Sequence, residues 1–217
     1  MHETNKCISI DVGIKNLAYC LIDYDNMPHT SDVCKCKILD WNVFSFYTDP
    51  TDFEEKEKEK EKEKDKKKEK EKEKEKGKSV AKKDKLSLVD IGIQLKIWFD
   101  YLRFNENVKK VIIENQIAPI ASNMKSIQCM IAQYFIMNGV HDVFFISAHE
   151  KLKPFSLSKK LSYKERKKMG IVHCKDLIQQ SELNSEWVLF FEKHKKKDDL
   201  ADSFLQMYSY IYKNDSH

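Results

Sequence analysis

The chain has 217 residues, 41% hydrophobic and 34% charged, with 39 Lys and Arg against 35 Asp and Glu for a formal net charge of +4. That length suits one domain, or one domain carrying an insertion, and the near balance of charge means that any nucleic-acid site must come from clustering. No stretch approaches the ~18 apolar residues of a membrane span, the first residues hold no apolar signal core, and the six cysteines contain no CxxC pair, so an intracellular protein with free thiols is expected.

Lys6 to Val12 (KCISIDV) has the apolar content of a short buried strand, with Asp11 near its end and Gly13 just beyond. A carboxylate there is expensive to bury unless it is paired or binds a metal. A glycine two residues on lets a backbone or a phosphate approach closely. Asn16 to Tyr24 reads as a second strand, forming a hairpin with the acid near its mouth. Val33 to Tyr47, rich in aromatic and β-branched residues, reads as a third, reached through a turn holding Asn26, Pro28 and Ser31. Then the composition breaks. Glu54 to Lys76 holds 12 Lys and 11 Asp or Glu with no apolar residue, so it has nothing to offset the entropy of ordering. Its alternation puts like charges at i,i+4, against helix, although the i,i+3 pairs are opposite in sign. A solvated insertion from about 54 to 85 is expected, interrupting a single domain that spans 1–217.

Leu86 to Phe104 follows, with Leu88, Ile91, Leu95, Trp98 and Leu102 on one helical face. Lys109 to Glu114 (KKVIIE) is a fourth strand that also ends on a carboxylate. Met124 to Met137 is an apolar helix closed by Asn138 and Gly139. Asp142 to Ser147 is a fifth strand, and 148–161 reads as a basic loop. Helices are expected at Tyr163 to Ser181, Glu186 to His194 and Asp199 to Tyr212. The order β-β-β-α-β-α-β, then helices, implies an α/β fold: a five-stranded mixed sheet flanked by helices on both faces.

Asp11 and Glu114 come together if the first and fourth strands are neighbours. Asp199 and Asp202, spaced i,i+3 on the last helix, can then close on them. Convergent carboxylates call for hard cations, Mg²⁺ or Mn²⁺. Two such ions would activate a water and stabilise the leaving oxygen of a phosphodiester. Each acid alone reads as well as a helix cap or an ion-pair partner, Asp198 especially; the joint pattern favours a metal site. Basic clusters flank it: Lys151, Lys153, Lys159, Lys160, Lys164, Arg166, Lys167 and Lys168, then Lys193, Lys195, Lys196 and Lys197. Such clusters attract phosphates irrespective of sequence. Asn115, Gln116, Asn123 and Lys125 are further candidates for contact with DNA.

IDVGIKNLAYC at 10–20, IIENQ at 112–116, NMKSIQ at 123–128 and DDLADS at 198–203 resemble the Holliday-junction resolvases of poxviruses, other large DNA viruses and yeast mitochondria, in the RuvC-like branch of the RNase H-like superfamily. The resemblance implies a homodimer that nicks opposed strands of a four-way DNA junction with two Mg²⁺ per active site, Mn²⁺ substituting. It implies no small-molecule cofactor and, for a viral protein, work at a replication site in the host cytoplasm. By position Asp11, Glu114, Asp199 and Asp202 match the family's acids, which both bind metal and catalyse. A catalytic lysine is implied in Tyr163–Lys168, with Lys168 and Lys164 the candidates. The insertion departs from the family pattern. Rival readings are another RNase H-like nuclease, acting on RNA–DNA hybrids or on DNA less selectively, and a non-catalytic DNA-binding protein. An actin-like ATPase would need a second glycine-rich phosphate loop, and the remaining glycines are isolated.

Overall fold

Alternation along the first strand decides which side of the sheet each residue serves. In the computed structural model, which describes residues 5–23, 36–48, 50, 85–104, 106–117, 121–155 and 162–215, β1 is Lys6–Val12, β2 Asn16–Asp23 and β3 Ile38–Ser45. β4 is Val108–Asn115 and β5 Asp142–Ser147. Among the described residues they form one five-stranded sheet in the order β3-β2-β1-β4-β5. β1–β2 and β2–β3 are antiparallel, as a meander of consecutive strands requires, whereas β1–β4 and β4–β5 are parallel. The mixed sheet expected from the element order is therefore present, with β1 and β4 side by side.

Ile8, Ile10 and Val12 of β1 point to one apolar cluster and Cys7 to the other, because successive strand side chains face opposite ways. The first cluster is closed by α1 (Leu88–Tyr101) and α2 (Ser122–Met137) through Ile91, Leu95, Trp98, Ile127, Ile131 and Phe135. α1 starts at Ser87 because Ser87 and Asp90 cap each other reciprocally. The second cluster is closed by α3 (Tyr163–Gln180), α4 (Ser185–Lys193) and α5 (Lys197–Asp215), with Cys174, Phe191, Leu200 and Leu205 packed around Trp41 and Ile112. Ser162 and Glu165 form the matching capping box of α3. Among the described residues no helix is long and apolar enough to cross a membrane.

Two details differ from the sequence reading. The stretch 148–161 is not loop throughout: Glu150–Phe155 forms a 3-10 turn. α5 begins at Lys197, so Asp198 and Asp199 both lie in its first turn. The expected insertion, the turn 25–32, and Lys159 and Lys160 lie outside the described residues.

Candidate active site

Asp11 shares its side of β1 with Cys7 and Ser9, and Glu114 shares its side of β4 with Ile112, so both acids face the α5 side. The parallel register sets Ile10 against Ile113, which brings the two carboxyls to the same end of neighbouring strands. Gly13 permits the tight exit from β1: a Cβ there would lie 2.5 Å from the carbonyl oxygen of Asn16. The close approach that this glycine allows is thus by backbone.

The acids meet on a lysine. Lys151, on the 3-10 turn after β5, donates from Nζ to Glu114 Oε2 at 3.0 Å and to Asp11 Oδ1 at 3.1 Å, and pairs with Asp202 Oδ2 at 3.5 Å. Its side chain is 6% exposed, those of Asp11 and Glu114 15% and 16%, so the cluster works at low dielectric, where both pairing and repulsion are strong. Burial first, and then the hydrogen bond with Glu114, push the Asp11 carboxyl up to about 7, with Lys151 opposing. Burial also acts to raise Glu114, but its hydrogen bond with Asp11 and the Lys151 charge leave it below the ordinary glutamate range. Of the two, Asp11 is therefore the harder to ionise. Burial raises Asp202 to about 6 against the pull of Lys151. For Lys151, burial disfavours the charge, but Asp11, Asp202 and Glu114 outweigh it and hold the amine protonated.

Lys151 was expected among the lysines that face DNA phosphates; the structure buries it in the acid cluster instead, where the attraction of Asp11, Asp202 and Glu114 outweighs the cost of burying its charge. Local charge density could not single it out. The usable signal was topological: parallel β4 and β5 pair Asn115 with Ser147, so a lysine shortly after β5 arrives at the edge where Glu114 ends. Phe155 holds the turn in place, with its ring stacked on His173 of α3 at 4.0 Å and on Tyr208 of α5 at 5.4 Å.

The other expected residues surround this centre. Asp199 lines a cavity of about 390 Å³ with Asp11, Gly13, Asn16 and Met124. Burial and Asp198 raise its carboxyl, and Lys196 pairs with it at 3.6 Å. Asp198 is bound by Lys167 at 2.6 Å. Burial would raise that carboxyl, but Lys167 holds it below the ordinary range. Lys164 and Lys168 are exposed on α3; among the described contacts the lysine joining Asp11, Glu114 and Asp202 is Lys151. Lys153 is exposed and paired with Glu150, and Arg166 Nη1 lies 3.3 Å from His149 Nδ1. Lys197 is half-buried at the start of α5. Lys125 donates to Asn115 Oδ1 at 3.2 Å and Gln128 Oε1 at 3.3 Å and lies over the Phe145 ring.

Oxygen-only donors of this kind suit hard divalent ions. Among the described residues, however, no three His, Cys, Asp or Glu side chains stand as ready metal ligands, since the acids are spaced around an ammonium. The donor chemistry fits a metal; the present spacing is that of an ion-pair cluster.

A five-stranded mixed sheet in this order, flanked by helices, is the RNase H-like fold. The model of the catalytic domain of mitochondrial resolvase Ydc2 and RNA-splicing MRS1 matches residues 7–95, which bears out the family resemblance read from the sequence. The matched segment contains Asp11 but not Glu114, Asp199 or Asp202. Uncharacterized protein L451 of Acanthamoeba polyphaga mimivirus is 31% identical over 123 residues, 48% of this chain and 29% of that protein. The match therefore spans under a third of the relative's length. The crystal structure of the yeast mitochondrial Holliday junction resolvase Ydc2 superposes with a TM-score of 0.56 at 19% identity, covering 96% of this chain and 80% of that one. RuvC of Thermus thermophilus in complex with a Holliday junction gives 0.52 at 10% identity, covering 95% and 94%. At such identities these likenesses establish the fold.

Proposed function

We propose that the chain is a divalent-metal-dependent endonuclease that resolves four-way DNA junctions by paired nicks, acting as a homodimer. One observation carries this reading: carboxylates from β1, β4 and α5 converge, within 3.5 Å, on one buried lysine. A structural ion pair needs one acid, not three. Asp11, Glu114, Asp199 and Asp202 would hold two Mg²⁺ or Mn²⁺ per site, ions that when bound supply a nucleophilic water and stabilise the leaving oxygen. The chain's own residues do the rest. Asp11 and Glu114, both bonded to Lys151 Nζ at 3.1 and 3.0 Å, would turn to the ions and orient the attacking water between them. Lys151 Nζ, once it gives up one of its carboxylates, can donate to the phosphoryl oxygens as charge builds there. Lys125, Lys153, Arg166, Lys167, Lys196 and Lys197 border the centre on β5–α3, α2 and α5, where they would hold the backbone of the cut strand in a salt-sensitive way. Two such sites about a two-fold axis suit a substrate with two strands to cut.

The family description that joins a resolvase with an RNA-splicing protein favours one alternative, action on RNA. Both are tested by comparing a labelled four-way junction, a linear duplex and an RNA–DNA hybrid, each with Mg²⁺ and with EDTA. Paired, metal-dependent nicks on the junction alone are expected. Asp11→Asn and Asp202→Asn should each lower the rate by about 10²-fold or more, while Asp198→Asn, which frees only Lys167, should not. Cutting of the hybrid would keep the acids and change the substrate. Junction binding without cutting would make the chain a binding protein.

A further inference from the structure

α5 carries Asp202 and Gln206 four residues apart, hence on one face. Gln206 is fully buried and its Nε2 donates to two strand carbonyls, Ile10 O and Ile112 O, each at 3.2 Å. Ile10 immediately precedes Asp11, and Ile112 lies two residues before Glu114. One side-chain amide thus ties the helix bearing Asp202 to both strands bearing the other acids. Gln206 Oε1 is buried with no hydrogen-bond partner. A buried polar atom left unpaired costs stability, and an apolar side chain of the same shape would avoid that cost. The amide is therefore hard to explain by stability, while the two bonds it makes are directional, as apolar packing is not. A second polar tie lies on the other side of Asp202: Trp41 Nε1 donates to Leu200 O at 3.1 Å and to Ser203 Oγ at 3.2 Å. Asp202 is bracketed by the two.

We propose that Gln206 is a positioning residue: its bonds to Ile10 and Ile112 set the axial and rotational register of α5 so that the Asp202 carboxylate meets Asp11 and Glu114. The apolar residues of α5 around it, Leu200, Phe204, Leu205 and Met207, hold the helix on the sheet through contacts that are not directional. One residue of slippage moves a helix by ~1.5 Å, and a displacement of ~1 Å at reacting groups costs on the order of 10²-fold in rate. The catalytic consequence rests on the nuclease reading above; the positional one does not.

The test uses Gln206→Met in the full chain. The melting temperature should equal or exceed that of the wild type. In crystals of the metal-free protein, Asp202 should lie beyond ion-pair distance of Lys151. Half-saturation by Mn²⁺, measured by calorimetry, should move to higher concentration. Junction affinity should stay within about twofold while the cleavage rate at saturating Mg²⁺ falls about 10- to 100-fold. Asp202 in its wild-type place with wild-type Mn²⁺ affinity would overturn the proposal, as would a variant that fails to fold, since the residue would then be structural. If the wild type cuts no substrate but Asp202 still shifts in the variant, the positioning role stands and the nuclease reading falls.

Discussion

Replacing Lys151 by Met keeps the length of the side chain and removes the charge on which three acids depend. Asp11, Glu114 and Asp202, whose side chains are 15%, 16% and 31% exposed, would then face one another with no cation between them. Removing one partner of a buried ionic group costs roughly 3–5 kcal/mol, because the remaining charge is left uncompensated. For a chain of this size each kcal/mol lowers Tm by about 2–4 °C, so Lys151→Met should melt roughly 10 °C below the wild type in EDTA at neutral pH. The sign of the coupling is the sharper test. Asp11→Asn alone should be mild, since burial already opposes the ionisation of Asp11 and Lys151 keeps Glu114 and Asp202 as partners. In the Lys151→Met background it should recover about half the loss or more, because it removes a carboxyl that must otherwise take up a proton to be buried there. Urea unfolding of the four proteins of this double-mutant cycle measures the coupling directly. A Lys151→Met variant within about 0.5 kcal/mol of wild type, or one that Asp11→Asn destabilises further, would refute the cluster's electrostatic account.

Two further outcomes follow from the geometry. Gly13→Ala places a Cβ 2.5 Å from a backbone oxygen, Asn16 O, that no rotamer change can move, so a loss of about 1–3 kcal/mol is expected by urea unfolding; wild-type stability would mean that the β1–β2 hairpin is looser than described. At Asp40 burial raises the carboxyl, only partly offset by the hydrogen bond that Tyr19 donates at 2.7 Å. Its folded value thus exceeds its unfolded one, and the stability it contributes is complete below the unfolded value and lost as pH rises through the folded one. Asp40→Asn keeps an acceptor for Tyr19, so its stability relative to wild type should rise over that interval, as read from melting temperatures across an acid-to-neutral series.

The strands were legible because short apolar runs with a carboxylate at the end have few other readings: β1 and β5 fall where the pattern of Lys6–Val12 and Asp142–Ser147 puts them. The acids were legible for the same reason. What stayed hidden depends on distance along the chain. Lys151 looks like any other lysine in a basic stretch; only the parallel pairing of β4 with β5 turns it inward. Lys164 and Lys168 were candidates through the family resemblance of Tyr163–Lys168, which carries no information on which lysine the fold brings to the acids. Gln206 carries no local signal at all, since one amide within an amphipathic pattern reads as a polar position on the exposed face. The boundaries of α5 and the 3-10 turn at Glu150–Phe155 were set by docking rather than by propensity.

The bond from Gln206 to Ile10 joins positions 196 apart in the chain, and Lys151 is 140 positions from Asp11. During synthesis, then, the first acid leaves the ribosome long before the residues that compensate it. Until α5 docks, the face of the sheet bearing Cys7, Cys20 and Ile112 lacks one of its three covering helices, and the carboxylates of β1 and β4 are not yet joined by Asp202. Contacts so distant in sequence form late and slowly. A nascent or partly folded copy thus carries the acids without the arrangement, which is completed only when the last helix of the chain docks.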